Sequence, residues 1–226
     1  MDEEIKDIVT KNDDEVILKK IIGHGSLQFK NGMLTVWNIP TLLIPLNTYL
    51  LLNQTMMDRF GDDARDMFYY LIKNQAMSGM EVLEKQFGFK DMKQLVQYQL
   101  GTSALMGVGP HHLVRFDEKN KIAIIKIEPN PVAEVSRKLF GTVEMPVDHF
   151  ARGGMAGIFS YAFKTDVVAI ETSCKACGKN ECIIEVKPRD AWDLTNPEIS
   201  AQMPKDEKEY VKNIRKVNAK DIKLKE

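Results

Sequence analysis

All three cysteines of the 226-residue chain fall within nine residues, in the run Glu171-Thr-Ser-Cys174-Lys-Ala-Cys177-Gly178-Lys-Asn-Glu-Cys182. A CxxC pair followed closely by a further thiol suits a tetrahedral soft cation. Cys174 and Cys177 can grip one ion across a tight turn, and Gly178 lets the chain reverse without a Cβ clash. The metal that fits is zinc. Three thiolates leave one ligand to find. His149, Asp148 and Glu171 are candidates, and so is a position left open. The competing reading is a redox CxxC or incidental buried thiols. Asp148 also fits the plain role of a helix N-cap.

The elements that must hold these residues can be read around them. Asp166–Glu171 and Glu181–Val186 read as two strands joined by the cysteine turn, so a metal would staple a hairpin tip. Ahead of them, Asp148 to Phe163 reads as a helix with an apolar side formed by Met155, Ile158, Phe159 and Ala162. It carries Gly153, Gly154 and Gly157; glycine weakens a helix, so this density predicts close approach to another backbone or to a ligand.

Further upstream, Asn31-Gly32 between alternating apolar runs predicts a hairpin. An apolar segment from Pro40 to about Arg59 predicts a helix that Pro45 begins or bends. Ala64, Met67, Phe68, Leu71, Met80, Leu83 and Phe87 recur at helical spacing up to Gly88. Asp91 can cap a helix to about Leu105. His112–Phe116 and Lys121–Ile127 flank a polar turn, and Pro131–Phe140 reads as a short helix. His111 and His112 are adjacent at a strand start and point to opposite faces, which predicts one buried and one solvated ring.

Composition narrows the function. A net charge of −1 and the lack of a basic stripe give no electrostatic case for nucleic acid. The opening Met1-Asp-Glu-Glu lacks the basic start of a secretory signal. The run from Ile39 to Leu52 is too short and too interrupted to span a bilayer. These features, with clustered rather than spaced cysteines, set the expectation of a cytoplasmic protein. Twelve methionines fit either core gap-filling or a malleable apolar pocket. No GxSxG, phosphate loop or GxGxxG after a strand is present.

The glycine-bearing helix, the strand and the motif Glu171-x2-Cys174-x2-Cys177-Gly178-x3-Cys182-x-Ile-x-Val together resemble the 4-vinyl reductase domain family. The match is specific over about residues 147–188 and weaker back to about residue 20. The resemblance implies an α+β fold, an antiparallel sheet packed on long helices, similar to the small TRAPP transport subunits and to sensor domains of aromatic-responsive activators. It also implies zinc, with Glu171, Cys174 and Cys182 at ligand positions and Asp148 where those sensors carry a cysteine. That departure leaves the fourth ligand open, with His149 adjacent and Cys177 an extra thiol able to substitute. A homodimer is implied as well.

The resulting expectation is an N-terminal arm over 1–19, a ligand-binding domain over 20–188 and a charged tail over 189–226. The domain would bind a hydrophobic small molecule (a lipid, an aromatic or a tetrapyrrole) against Met67, Phe68, Leu71, Met155 and Phe159, as sensor or carrier. A reductase acting on a vinyl-bearing tetrapyrrole precursor and a dimeric scaffold without ligand are the alternatives. The reductase lacks a recognisable hydride or electron source.

Overall fold

The computed structural model describes residues 27–36, 39–89 and 91–205. The arm expected over 1–19 and the tail beyond residue 205 lie outside them.

The described chain begins with β1 (Leu27–Lys30), β2 (Met33–Val36) and β3 (Ile39–Thr41), an antiparallel meander. The first turn is Asn31-Gly32, with φ of 54° and 78°, so both central residues take the positive angles that a tight hairpin asks for. Pro45 begins helix α1 (Leu46–Phe60) rather than bending it, its fixed φ serving at the N-cap. Gly61 turns the chain into α2 (Asp62–Phe87), which Gly88 closes in the left-handed conformation. Helix α3 (Met92–Thr102) is capped by Asp91, whose carboxylate accepts from the Lys93 N–H at 2.9 Å.

A four-stranded antiparallel sheet follows, built from two hairpins with two helices between them. Strands β4 (His111–Asp117) and β5 (Ile122–Ile127) form the first. Helices α4 (Pro131–Phe140) and α5 (His149–Phe163) come next, then β6 (Val168–Ser173) and β7 (Cys182–Lys187). The spatial order is β4-β5-β7-β6, which leaves β4 and β6 at the edges.

Alternation sends Ala123, Ile125 and Ile127 of β5 and Cys182, Ile184 and Val186 of β7 inward, all fully buried. They share one core with Phe159 and Phe163 of α5 and Met80 and Leu83 of α2. This is the antiparallel sheet packed on long helices that the sequence implied. His111 is buried, its ring bonded to the Gly109 carbonyl at 2.9 Å, and burial depresses its pKa to about 4. His112 is half-buried, 3.2 Å from the Glu128 carbonyl.

Two of the three glycines in α5 explain how closely it meets α2. A Cβ on Gly153 would lie 2.4 Å from the Tyr69 carbonyl oxygen, and one on Gly157 2.2 Å from that of Lys73. Gly154, one residue around the helix, has only Ile72 Cγ2 nearby, at 3.8 Å. Backbone contact, not a ligand, accounts for the glycine stripe.

Residues 189–205 do not leave the domain at once. Trp192, Ile199 and Met203 pack against Val168 and Ile170, on the face of β6 opposite the core. The short helix α6 (Pro197–Ser200), capped by Asn196, lies within this segment.

Candidate metal centre

The cysteine turn forms a short 3₁₀ turn, Lys175–Cys177, ended by Gly178 at φ 83°. The turn folds because the Cys174 carbonyl accepts from both Cys177 and Lys179, at 3.1 and 3.2 Å. Glu171 enters from β6. In the ladder it stands opposite Ile184, so it shares the inward face with Cys182 two residues away. A bulge between Glu171 and Ser173 then turns the chain into the cysteine loop.

Ligand atoms of Glu171, Cys174 and Cys182 all lie within 4.8 Å of one another, and all three residues are buried. Neither carboxylate oxygen of Glu171 has a hydrogen-bond partner. An orphaned carboxylate in a core costs about 1–3 kcal/mol or more, so it needs a positive partner or a proton. Burial first, then the neighbouring Cys174 and Asp148 charges, push its pKa well above the ordinary value. The Cys174 thiol is raised by its contact with Cys182 and by burial, and Cys177 is pushed to about 12 by burial and by Cys174. Each acid resists ionising because the others already crowd it. A divalent cation reverses that logic, because it favours every charged form at once. The backbone is also set for bound sulfur: the Lys175 N–H points at Cys182 Sγ at 3.3 Å.

The remaining candidates fall outside this group of three. Cys177 is half-buried beside Cys174. Asp148 is buried at the N-cap of α5, where one carboxylate oxygen accepts from Ala151 N at 3.0 Å and the other lies 3.5 Å from the Asn130 amide. Burial raises its pKa to about 6. His149 turns away from the cysteines, its Nδ1 3.4 Å from an Arg152 nitrogen, and burial with the Arg152 charge lowers its pKa to about 3.

The five residues expected to line a pocket are not gathered in one place. Met155 and Phe159 are core residues, and Phe159 meets Phe116 and Phe163 with ring centroids 6.2 and 5.5 Å away. Phe68 belongs to another aromatic group, 5.7 Å from Phe150, which in turn contacts Tyr49 of α1. Met67 is half-buried and Leu71 is exposed. A groove of about 530 Å³ runs past Met77, Met92, Tyr161 and Lys164.

Two important residues were not singled out from the sequence. Arg152 is among the largest fully buried side chains, donating to the Ala169 carbonyl at 3.3 Å and to the Gln202 carbonyl. An arginine on the apolar side of a helix was the available signal. Gln202 gave none.

Comparison with known proteins defines the class first. The fold is similar to that of a ligand-responsive sensory domain: the phenol-responsive sensory domain of the transcription activator PoxR, solved with phenol, superposes at a TM-score of 0.70. The two are 18% identical, and the match covers 84% of this chain and 98% of that one. The chain carries the 4-vinyl reductase domain, whose family model matches residues 124–188. A trafficking protein particle complex subunit 3 from Naegleria fowleri, covalently bound to palmitic acid, matches at TM-score 0.44 and 15% identity, over 63% of this chain and 91% of that one. A vinyl-4-reductase family protein from Methanocaldococcus jannaschii matches at 0.43 and 19%, over 83% and 96%. No curated protein matches the chain.

Proposed function

We propose that this protein is a zinc-stapled binding module for a hydrophobic small molecule, acting as a sensor or carrier in the cytoplasm. The observation that carries the reading is the buried, unpartnered Glu171 carboxylate set against the Cys174 and Cys182 thiols. Two thiolates and one carboxylate form a donor set that suits zinc better than a hard cation. Asp148, Cys177 or a water completes it. Bound there, zinc supplies folding energy by joining the start of β7 to the end of β6. Glu171, Cys174 and Cys182 bind it, and the Lys175 N–H holds the Cys182 sulfur in place.

The family match and the sensory-domain fold support small-molecule binding. The hydrophobic ligand belongs with the aromatic and methionine side chains packed between α2, α5 and the sheet, Met155 and Phe159 among them. No helix among the described residues is long and apolar enough to cross a membrane. A homodimer is favoured by one surface feature: Leu42, Leu43 and Ile44, with Leu51 and Leu52 of α1, are all exposed.

Native mass spectrometry with elemental analysis tests the reading. We expect one zinc per chain, a dimeric mass and an additional organic mass. Cys174→Ser and Cys182→Ser should each abolish stoichiometric zinc and lower the thermal midpoint. Unchanged metal content and melting in both variants would overturn the metal centre. A wild-type protein whose midpoint no lipid, phenol or tetrapyrrole shifts would overturn the binding function.

A further inference from the structure

The candidate centre is tied to the chain segment that follows the sheet. Strand β6 is an edge, so the outer side of its backbone has no neighbouring strand in the sheet order. At Glu171 that side is met by the side chain of Gln202, which is 2% exposed. The Gln202 amide donates to the Glu171 carbonyl at 3.0 Å, and its oxygen accepts from the Glu171 N–H at 3.1 Å. One carboxamide thus does what a paired strand residue would do. It does so beside the bulge, where the ladder to β7 shifts register and holds Glu171 least firmly.

Gln202 is itself held at several points. Its carbonyl accepts from buried Arg152, and its amide also donates to the Glu198 carbonyl at 3.1 Å. Three residues on, the Lys205 N–H donates to Asp66 at 3.0 Å, Lys205 Nζ pairs with Asp63 at 2.9 Å, and Tyr70 donates to the Lys205 carbonyl. Segment 196–205 is therefore a strap fastened to α2 and α5, with one buried side chain clamping the backbone of the one carboxylate in the centre.

We infer that Gln202 is a positioning residue for the centre: it sets the Glu171 backbone so that the carboxylate faces Cys174 and Cys182, and it thereby couples occupation of the centre to docking of the 196–205 strap. The inference rests on the metal reading above. Coupling between two sites is reciprocal, so a docked strap must raise metal affinity by the same factor by which metal favours docking.

Two measurements on the full chain test this. The first uses wild type alone, following amide hydrogen exchange of residues 197–205 before and after zinc is added to the metal-stripped protein. Zinc should slow exchange there by about fivefold or more. The second compares Gln202→Met, which keeps length and bulk but can make neither hydrogen bond. Its zinc affinity, measured against a chromogenic chelator, should fall about five- to tenfold. With cobalt(II) in place of zinc, the thiolate charge-transfer band should persist while the d–d bands weaken as the carboxylate is lost, a change that mere destabilisation would not produce. Equal affinity in Gln202→Met, with strap exchange unmoved by zinc, overturns the coupling and leaves the centre standing. Failure of wild type to bind zinc overturns both. If Gln202→Met does not fold, the wild-type exchange result decides alone.

Discussion

The three glycines of α5 make a prediction with its own control. Gly157→Ala puts a methyl 2.2 Å from the Lys73 carbonyl oxygen and 2.8 Å from Ala76 Cβ, and Gly153→Ala puts one 2.4 Å from the Tyr69 carbonyl oxygen. Ordinary contact begins near 3.4 Å, and the obstructing atoms are mostly helix backbone, which cannot swing aside. The two helices must part by about an ångström, and forced overpacking of that kind costs roughly 1–3 kcal/mol. Alanine returns about 1 kcal/mol through helix propensity. With two close contacts, Gly157→Ala belongs at the upper end, a net loss of about 2 kcal/mol, and Gly153→Ala loses somewhat less. Gly154→Ala meets only Ile72 Cγ2 at 3.8 Å, so it should keep the propensity gain and stabilise by about 0.5–1 kcal/mol. The gap between Gly154→Ala and Gly157→Ala is thus about 3 kcal/mol, or roughly 6–12 °C in thermal midpoint for a chain of this size. Urea melts with unchanged slopes would measure it. Three variants within about 0.5 kcal/mol of one another would refute the claim that these helices touch through their backbones.

Two further substitutions report on buried groups. Tyr69→Phe leaves the Ala169 N–H, which donates to the Tyr69 hydroxyl at 3.1 Å, without a partner in the core. A loss of about 1–3 kcal/mol is expected in denaturant melts, and an unaltered midpoint would contradict that bond. His111 has its pKa depressed to about 4 by burial, so the unfolded chain takes up the proton first. Stability should be intact above about pH 6.5 and lost as pH falls toward 4, by on the order of 3 kcal/mol at about 1.36 kcal/mol per pKa unit. His111→Gln should lack that component of the acid sensitivity, and parallel pH–stability curves for the two proteins would contradict it.

Periodicity and turn residues made the elements legible: Asn31-Gly32, Gly88, Asp91, Pro131 and Asp148 mark ends that the structure places within a residue or two. These signals are local, and local chemistry determines them. The grouping of Glu171 with Cys174 and Cys182 was partly legible, because inward alternation along β6 and β7 brings Glu171 and Cys182 to one face. The direction of His149 was not, since it depends on Arg152, whose buried role comes from partners on β6 and the strap. The same reason hid residues 190–204, which read as a polar loop. Their order comes from contacts with Val168, Ile170 and Glu171, remote in sequence and absent from any local pattern. The expected pocket residues share helical spacing, yet α2 presents Phe68 and Leu71 away from the face that Phe159 occupies. A single stripe on a helix does not say which neighbour each residue will meet.

Strand β4 bounds the sheet on the side away from the strap, and its register slips between Leu113 and Arg115. The slip breaks the even spacing of outward N–H and C=O groups that an incoming strand would have to match. Beyond it, Arg115 and Asp117 pair at 2.7 Å, adding desolvation to the cost of any such approach. The sheet therefore carries its own stop against recruiting strands from neighbouring molecules, which keeps a crowded population of this protein from linking edge to edge into larger sheets.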